Sequence, residues 1–383
     1  MTEWQFAFSG PILCGAVIHR VGEELVKLGG KCPLIVTGAR IAESGIVEQV
    51  LESCKAAGLE SVVYQVDQIN PTDEDVYNGM RVYQSACCDA VIALGGGSRI
   101  DAAKAIRLMV SHSDKLEKYY FDIGGIVPLL SGMPPLVCIP TTAGSGSEVS
   151  RGAVITDTKE KRKRLIAGPG MMSTLAILDP GLSVSLSPQL TAETGLDALS
   201  HALETFVGTN YNPFAEGLAR QAAKLIYTYL PQAVNDGGNL EARRQMLIGS
   251  AMGALGFSKG LGVVHSLAHQ LLHIPHGLAI SILLPYGMEF NIDVVADGYV
   301  DLALVMGVVE EDVFNRKEMA KRAIEAVRSY SKRFDLPERL SDVGVVRKDL
   351  TRMATGAMLD HCHHTNPRPC TEEDMLVLLE RAF

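Results

Sequence analysis

The chain has 383 residues, enough for two domains, with 47% hydrophobic and 21% charged residues. That composition folds around a buried core and excludes a disordered chain. A net charge of −9 with no long basic stripe makes nucleic acid a poor partner.

The eight cysteines (Cys14, Cys32, Cys54, Cys87, Cys88, Cys138, Cys362 and Cys370) form no C-x-x-C pair, and a chain of this size needs no disulfide staples. Free thiols in a reducing cytosol are expected. The amino terminus, MTEWQFAFSGP, lacks the basic-then-apolar order of a secretory leader. No apolar run approaches the roughly 20 residues that span a bilayer. These features predict a soluble cytoplasmic protein, with no membrane or nucleic-acid partner.

In chain order, PLIVTGA (33–39), SVVYQVD (61–67), AVIALGG (90–96) and PLVCIPTTA (135–143) are apolar runs rich in Val and Ile. Between the first three lie GIVEQVLESCKAAGL and DEDVYNGMRVYQSA, whose apolar residues recur at helical spacing. The alternation predicts a doubly wound, mostly parallel sheet. GAVITD (152–157) and TLAILDP (174–180) are two further strand candidates. The character then changes. SLSPQLTAETGLDALSHALETFV opens with a Ser-Pro helix start, and convincing strands are almost absent beyond it. Two domains are therefore expected: an α/β dinucleotide-binding domain at 1–185 and an all-α domain at 186–383.

The turn after the third strand, ALGGGSRIDAAKAI, places Gly95, Gly96 and Gly97 between a strand and a helix. Glycines let a backbone approach a ligand closely, and the helix start offers unpaired N–H groups to a pyrophosphate. The pattern is neither G-x-G-x-x-G nor a Walker loop. A second strand-end loop, IPTTAGSGSEVS, is rich in hydroxyls; Thr141, Thr142 and Ser147 are candidates to hold phosphate or carboxamide. Two such loops together point to a dinucleotide.

Downstream, Asp197 and His201 are four apart in GLDALSHALE, so on a helix they share a face. HSLAHQLLHIPH, His265 to His276, adds four histidines, with Pro275 placed to interrupt the helix ahead of His276. A carboxylate with several imidazoles is a divalent-metal donor set.

GGGSRIDAAKAI, IPTTAGSGSEVS, TGLDALSHALE, HSLAH…IPHG and the tail NPRPCTEED together resemble the iron-dependent (group III) alcohol dehydrogenase family over nearly the whole chain. The resemblance implies a dehydroquinate synthase-like two-domain fold. It implies NAD(P) and Fe2+ or Zn2+ as cofactors, and a homodimer or higher homo-oligomer. It also implies roles. Gly96, Gly97, Ser98 and Asp101 would line the pyrophosphate loop. Thr141 and Thr142 would run along the cofactor, Lys163 in the basic run KEKRKR would point toward it, and Asn70 would sit near adenosine. Asp197, His201, His265 and His276 would be the metal ligands, with His269 near the nicotinamide to orient substrate or relay a proton.

Two departures stand out. NAD-using members usually carry Asp where this chain has Gly38. Gly38 removes that charge and Arg40 lies beside it, so NADP(H) is expected to be accepted. The spacer between His269 and IPHG is about three residues shorter than usual, most of one helical turn, which makes His273 a competitor for the place of His276. HCHH, His361 to His364, is expected to wall a substrate pocket rather than hold a second metal. Arg151 suggests an anionic aldehyde as an alternative substrate. The expected reaction is hydride transfer between nicotinamide and a small primary alcohol or aldehyde, with a polyol or hydroxyacid dehydrogenase as the alternative. A sensor without turnover is the reading from another class.

Overall fold

The computed structural model describes residue 6, residues 10–310 and residues 315–383. Most of the amino-terminal stretch on which the leader expectation rests lies outside the described residues. The chain divides into an α/β unit, which runs to Thr142 and resumes over Gly146–Ser185, and a helical unit comprising Ala143–Ser145 and Leu186–Phe383.

The α/β unit holds eight strands: β1 (Ile12–Cys14), β2 (Pro33–Thr37), β3 (Val62–Gln65), β4 (Ala90–Gly95), β5 (Leu136–Pro140), β6 (Gly152–Asp157), β7 (Arg162–Ala167) and β8 (Leu175–Leu178). Its helices are α1 (Val21–Lys27), α2 (Ala39–Ala42), α3 (Ile46–Ala56), α4 (Asp73–Ser85) and α5 (Gly97–Ser111). Six strands form one sheet in the order β1-β8-β5-β4-β2-β3, with every pairing parallel. A parallel sheet must be covered on both faces. Alternate residues accordingly feed two cores: Leu34, Val36, Val91 and Ala93 pack into one, Ile35, Ile92, Leu94 and Val137 into the other. The chain after β2 proceeds to β3 on one side and the chain after β4 proceeds to β5 on the other. The carboxyl ends of β2 and β4 therefore flank the switch point where such sheets take ligands.

GAVITD forms the strand expected of it, but outside the main sheet: as β6 it pairs antiparallel with β7, and β7 carries Arg162, Lys163 and Arg164 of the basic run. Asp157 Oδ1 accepts from the N–H groups of Lys159 and Glu160, and Lys161 takes a left-handed φ of 53°, which closes the hairpin. Arg162 and Arg164 are spent on Asp122.

The helical unit contains α6 (Pro188–Val207), α7 (Pro213–Asn235), α8 (Leu240–Leu255), α9 (Val263–Ala268), α10 (His276–Met306), α11 (Arg316–Arg333), α12 (Leu350–Ala357) and α13 (Glu372–Ala382). Ser187 caps α6 by accepting from Leu190 N, with Pro188 in the first turn. Nearly every residue of α6 after its first turn is buried, so this helix is the axis of the unit. Gly195 lets the Leu230 side chain of α7 lie against it, since a Cβ there would stand 2.3 Å from Leu230 Cδ1.

The expectation that nothing approaches membrane-spanning length is also corrected. By length and composition α10 is long and apolar enough to cross a bilayer, but 67% of its most apolar window is buried within the fold, as in a core helix. It is kinked at Val295, whose φ of −131° and ψ of 26° are not helical.

Candidate metal centre and nucleotide crevice

The helical unit brings together the four residues nominated as ligands. Asp197 and His201 lie one turn apart on α6. His265 comes from α9. Pro275 ends the intervening segment, and His276 is the first residue of α10. Asp197 Oδ1 is 3.7 Å from His201 Nε2, 3.9 Å from His265 Nε2 and 3.6 Å from His276 Nε2. These separations exceed hydrogen-bonding distance. They approach the roughly 3.4 Å between neighbouring ligand atoms arranged tetrahedrally about 2.1 Å from one cation. Asp197, His201 and His265 are buried, whereas the His276 side chain is 30% exposed, so the centre opens on that side.

His265 makes the strongest case that this cluster fits a cation. Its Nδ1 bonds Glu204 Oε2 at 2.5 Å, and Val264 N donates to Glu204 Oε1 at 3.0 Å. A carboxylate can only accept, so the proton sits on Nδ1 and the lone pair of Nε2 faces Asp197. That Nε2 is buried with no hydrogen-bond partner, an arrangement that costs about 1–3 kcal/mol unless something electrophilic occupies the space. Burial, reinforced by the neighbouring His265, lowers the pKa of His201 well below its usual value and keeps it a neutral donor. A divalent ion balanced by Asp197 and Glu204 leaves no net charge in this buried volume. The carboxylate–imidazole relay is a common way to fix a ligating ring.

His269 lies beside this set. Its ring stacks on His276 with centroids 5.3 Å apart, and its Nδ1 bonds Asp360 Oδ2 at 2.8 Å. Asp360 also accepts from Ser266 Oγ and Cys362 N. Burial would raise the Asp360 pKa, but the adjoining His269 and its hydrogen bond outweigh it and hold the carboxyl well below the usual range. His273 is exposed, while His276 occupies the position beside Asp197. In the HCHH stretch, Cys362 is buried, and burial pushes its thiol pKa well up. Glu204 and Asp360 were missed in the sequence. Glu204 stands three residues after His201 and Asp360 directly precedes HCHH, but an acidic residue beside a histidine is common on solvated helices.

In the α/β unit, Gly96 precedes α5, which begins at Gly97 and Ser98 with no side-chain cap. A Cβ on Gly96 would lie 3.3 Å from Thr142 Oγ1, so the two strand-end loops meet there. Thr141 is buried and its N–H donates to Gly95 O. Asp101 is more structural than its motif suggested: it accepts from Ser147 Oγ at 2.5 Å and from Val154 N at 2.9 Å, tying α5 to β6. Burial raises the Asp101 pKa, opposed by Lys104. Lys163 lies on β7 opposite Thr156, and its charge reaches Asp101. Asn70 precedes the capping box that opens α4, Thr72 with Asp75. Gly38 follows β2 and caps α2, and Arg40 is exposed on that short helix. Arg151 is exposed just before β6.

Residues 10–180 match the family described as iron-containing alcohol dehydrogenase, and residues 191–383 match the C-terminal region of the Fe-containing alcohol dehydrogenase family. The chain is 36% identical to an NAD-dependent methanol dehydrogenase from Bacillus methanolicus over 372 residues, 96% of each chain. It is 36% identical to a 1,3-propanediol dehydrogenase from Citrobacter freundii over 96% of this chain and 95% of that one. A solved 1,3-propanediol oxidoreductase superimposes with a TM-score of 0.95 at 34% identity, covering 100% of both chains.

Proposed function

Because the chain belongs to the iron-containing alcohol dehydrogenase family, and is by that membership a metal-dependent, nicotinamide-linked oxidoreductase, we propose that it interconverts small primary alcohols and aldehydes with NAD(P). Asp197, His201, His265 and His276 hold Fe2+ or Zn2+ in this reading. The observation that carries it is the set of three imidazole Nε2 atoms 3.6–3.9 Å from one carboxylate oxygen. When bound, the ion supplies Lewis acidity toward a hydroxyl or carbonyl oxygen, and the nicotinamide accepts or supplies the hydride.

The chain's own residues do the remaining work. Glu204 fixes the His265 tautomer. Asp360 orients the His269 ring, leaving its Nε2 to take the proton released by an alcohol or return it to a forming one. Gly96, Gly97 and Ser98 present the uncapped start of α5 to the pyrophosphate. Gly38 places no carboxylate where a ribose 2′-phosphate would be repelled, which supports acceptance of NADP(H) alongside NAD(H). Eight free cysteines support a cytoplasmic site of action.

The test combines elemental analysis with NADH and NADPH oxidation on a panel of neutral and anionic aldehydes. Oxidation that requires the metal is expected. Metal-replete protein that oxidises neither cofactor with any small aldehyde would make the chain a sensor and overturn the proposal. A kcat/KM at least about tenfold better with NADH would remove NADP(H) alone.

A further inference from the structure

The first residue of the tail motif NPRPCTEED reaches the start of the helix that carries His265. That helix, α9, holds His265 as its third residue, and Gly262 before it supplies no side-chain cap. The two N–H groups ahead of His265 are held from elsewhere. Val264 N donates to Glu204 Oε1 at 3.0 Å, and Val263 N to Asn366 Oδ1 at 3.3 Å, 103 residues away. Both acceptors crowd Gly262, where a Cβ would stand 2.6 Å from Glu204 Oε1 and 2.7 Å from Asn366 Oδ1. Asn366 is 4% exposed. Its Oδ1 also accepts from Asn291 Nδ2 at 3.0 Å, and its Nδ2 donates to Asn291 Oδ1 and to Arg368 O, both at 2.7 Å. Turning the amide over would set donor against donor at Val263 and acceptor against acceptor at Arg368, so its orientation is fixed. Asn291 lies on α10, the helix that begins with His276. Arg368 completes the anchor: its Nη1 donates to Phe290 O at 3.2 Å, and its guanidinium lies 4.1 Å from the centre of the Phe290 ring.

We infer that Asn366 is a positioning residue for the metal centre: its amide ties the start of α9 to α10 and so sets where His265 Nε2 stands relative to Asp197. Glu204 fixes the tautomer of His265, and Asn366 fixes the backbone that carries the ring. The first N–H groups of a helix have no partner within it, so a side chain from outside must accept from them. Without the Asn366 oxygen the first turn of α9 shifts, and the His265 ring shifts with it. A buried amide whose four hydrogen bonds are all made has no isosteric substitute that leaves every partner paired. The inference rests on the reading of Asp197, His201, His265 and His276 as metal ligands.

The experiment titrates the full chain, stripped of metal, with Co2+. Visible absorption reports the geometry of the ligands, and competition with a chelator gives the Kd. In Asn366→Leu the Co2+ band should change in position or intensity, and the Kd should rise about tenfold, the lower end of what orienting partners are worth. Val327→Ala, a truncation of a buried side chain on α11, is the control. Its urea midpoint should fall while its Co2+ band and Kd stay as in wild type. Gly262→Ala, whose Cβ pushes both acceptors away from the start of α9, should reproduce Asn366→Leu and carries the same test if that variant does not fold. A wild-type band with a Kd within about twofold of wild type in the folded variant overturns the inference and leaves the metal reading standing. An equal change in Val327→Ala also overturns it, because the effect of Asn366 would then be one of general stability. Wild-type protein that binds no Co2+ overturns both the inference and the metal reading.

Discussion

Replacing Glu204 with Gln tests how the metal centre is pre-organised. The carboxylate serves two donors at once, His265 Nδ1 and Val264 N. An amide offers one oxygen and one NH2 group. If the NH2 faces His265, Nδ1 must become the acceptor and the proton moves to Nε2, where it blocks the lone pair aimed at Asp197. If the amide turns over, the buried Val264 N–H loses its acceptor, at about 1–3 kcal/mol of folding stability. Partners of this kind are worth about 10–100-fold in metal affinity, or roughly 1.4–2.8 kcal/mol. Competition with a chromogenic chelator measures the metal Kd, and urea unfolding in excess chelator measures stability without the ion. A variant with a metal Kd within about twofold of wild type and unchanged unfolding would refute the reasoning.

Other substitutions report on neighbouring features. Glu148 is fully enclosed and burial raises its carboxyl pKa to about 7, from 4.5 in an exposed setting. Between those pH values the unfolded chain loses the proton while the folded one keeps it. Stability therefore falls as pH rises through this window, by up to about 3 kcal/mol, and is flat above it. Glu148→Gln should shrink the difference between urea midpoints at pH 4.5 and pH 8, and an unchanged difference would count against the assignment. A Cβ on Gly277 would lie 2.3 Å from Glu193 O, so Gly277→Ala should push the start of α10, with His276, off α6. A loss of about 1–3 kcal/mol with weaker metal binding is expected, and unaltered unfolding and metal binding would contradict it. Asp360→Asn should lower kcat roughly tenfold or more while metal content holds, because it releases the His269 ring; an unaltered pH–rate profile would argue against a proton role.

What the sequence revealed follows the strength of each local signal. Parallel strands buried on both faces leave continuous apolar runs, so β2, β4 and β5 could be read directly. β1 is only three residues long and carries no such signature. β7 is basic and half-buried and reads as a solvated loop; only its pairing with β6 and the ion pairs to Asp122 make it a strand. The Asp197–His201 pair was visible because helical geometry alone places i and i+4 on one face. The positions of His273 and His276 depended on where Pro275 would restart the helix, and sequence left that open. Glu204 and Asp360 act through histidines distant in sequence, at separations of 61 and 91 residues, so no local pattern marks them.

The most direct test of the central claim is metal stoichiometry and turnover measured together in wild type and His201→Ala. His201 is buried at the middle of the cluster and stacks on His265 with ring centroids 4.7 Å apart. The account predicts about one divalent ion per wild-type chain, and loss of both ion and aldehyde reduction in the variant while its far-ultraviolet dichroism and NADH binding persist. A His201→Ala protein that is free of metal and reduces aldehydes at the wild-type rate would contradict it.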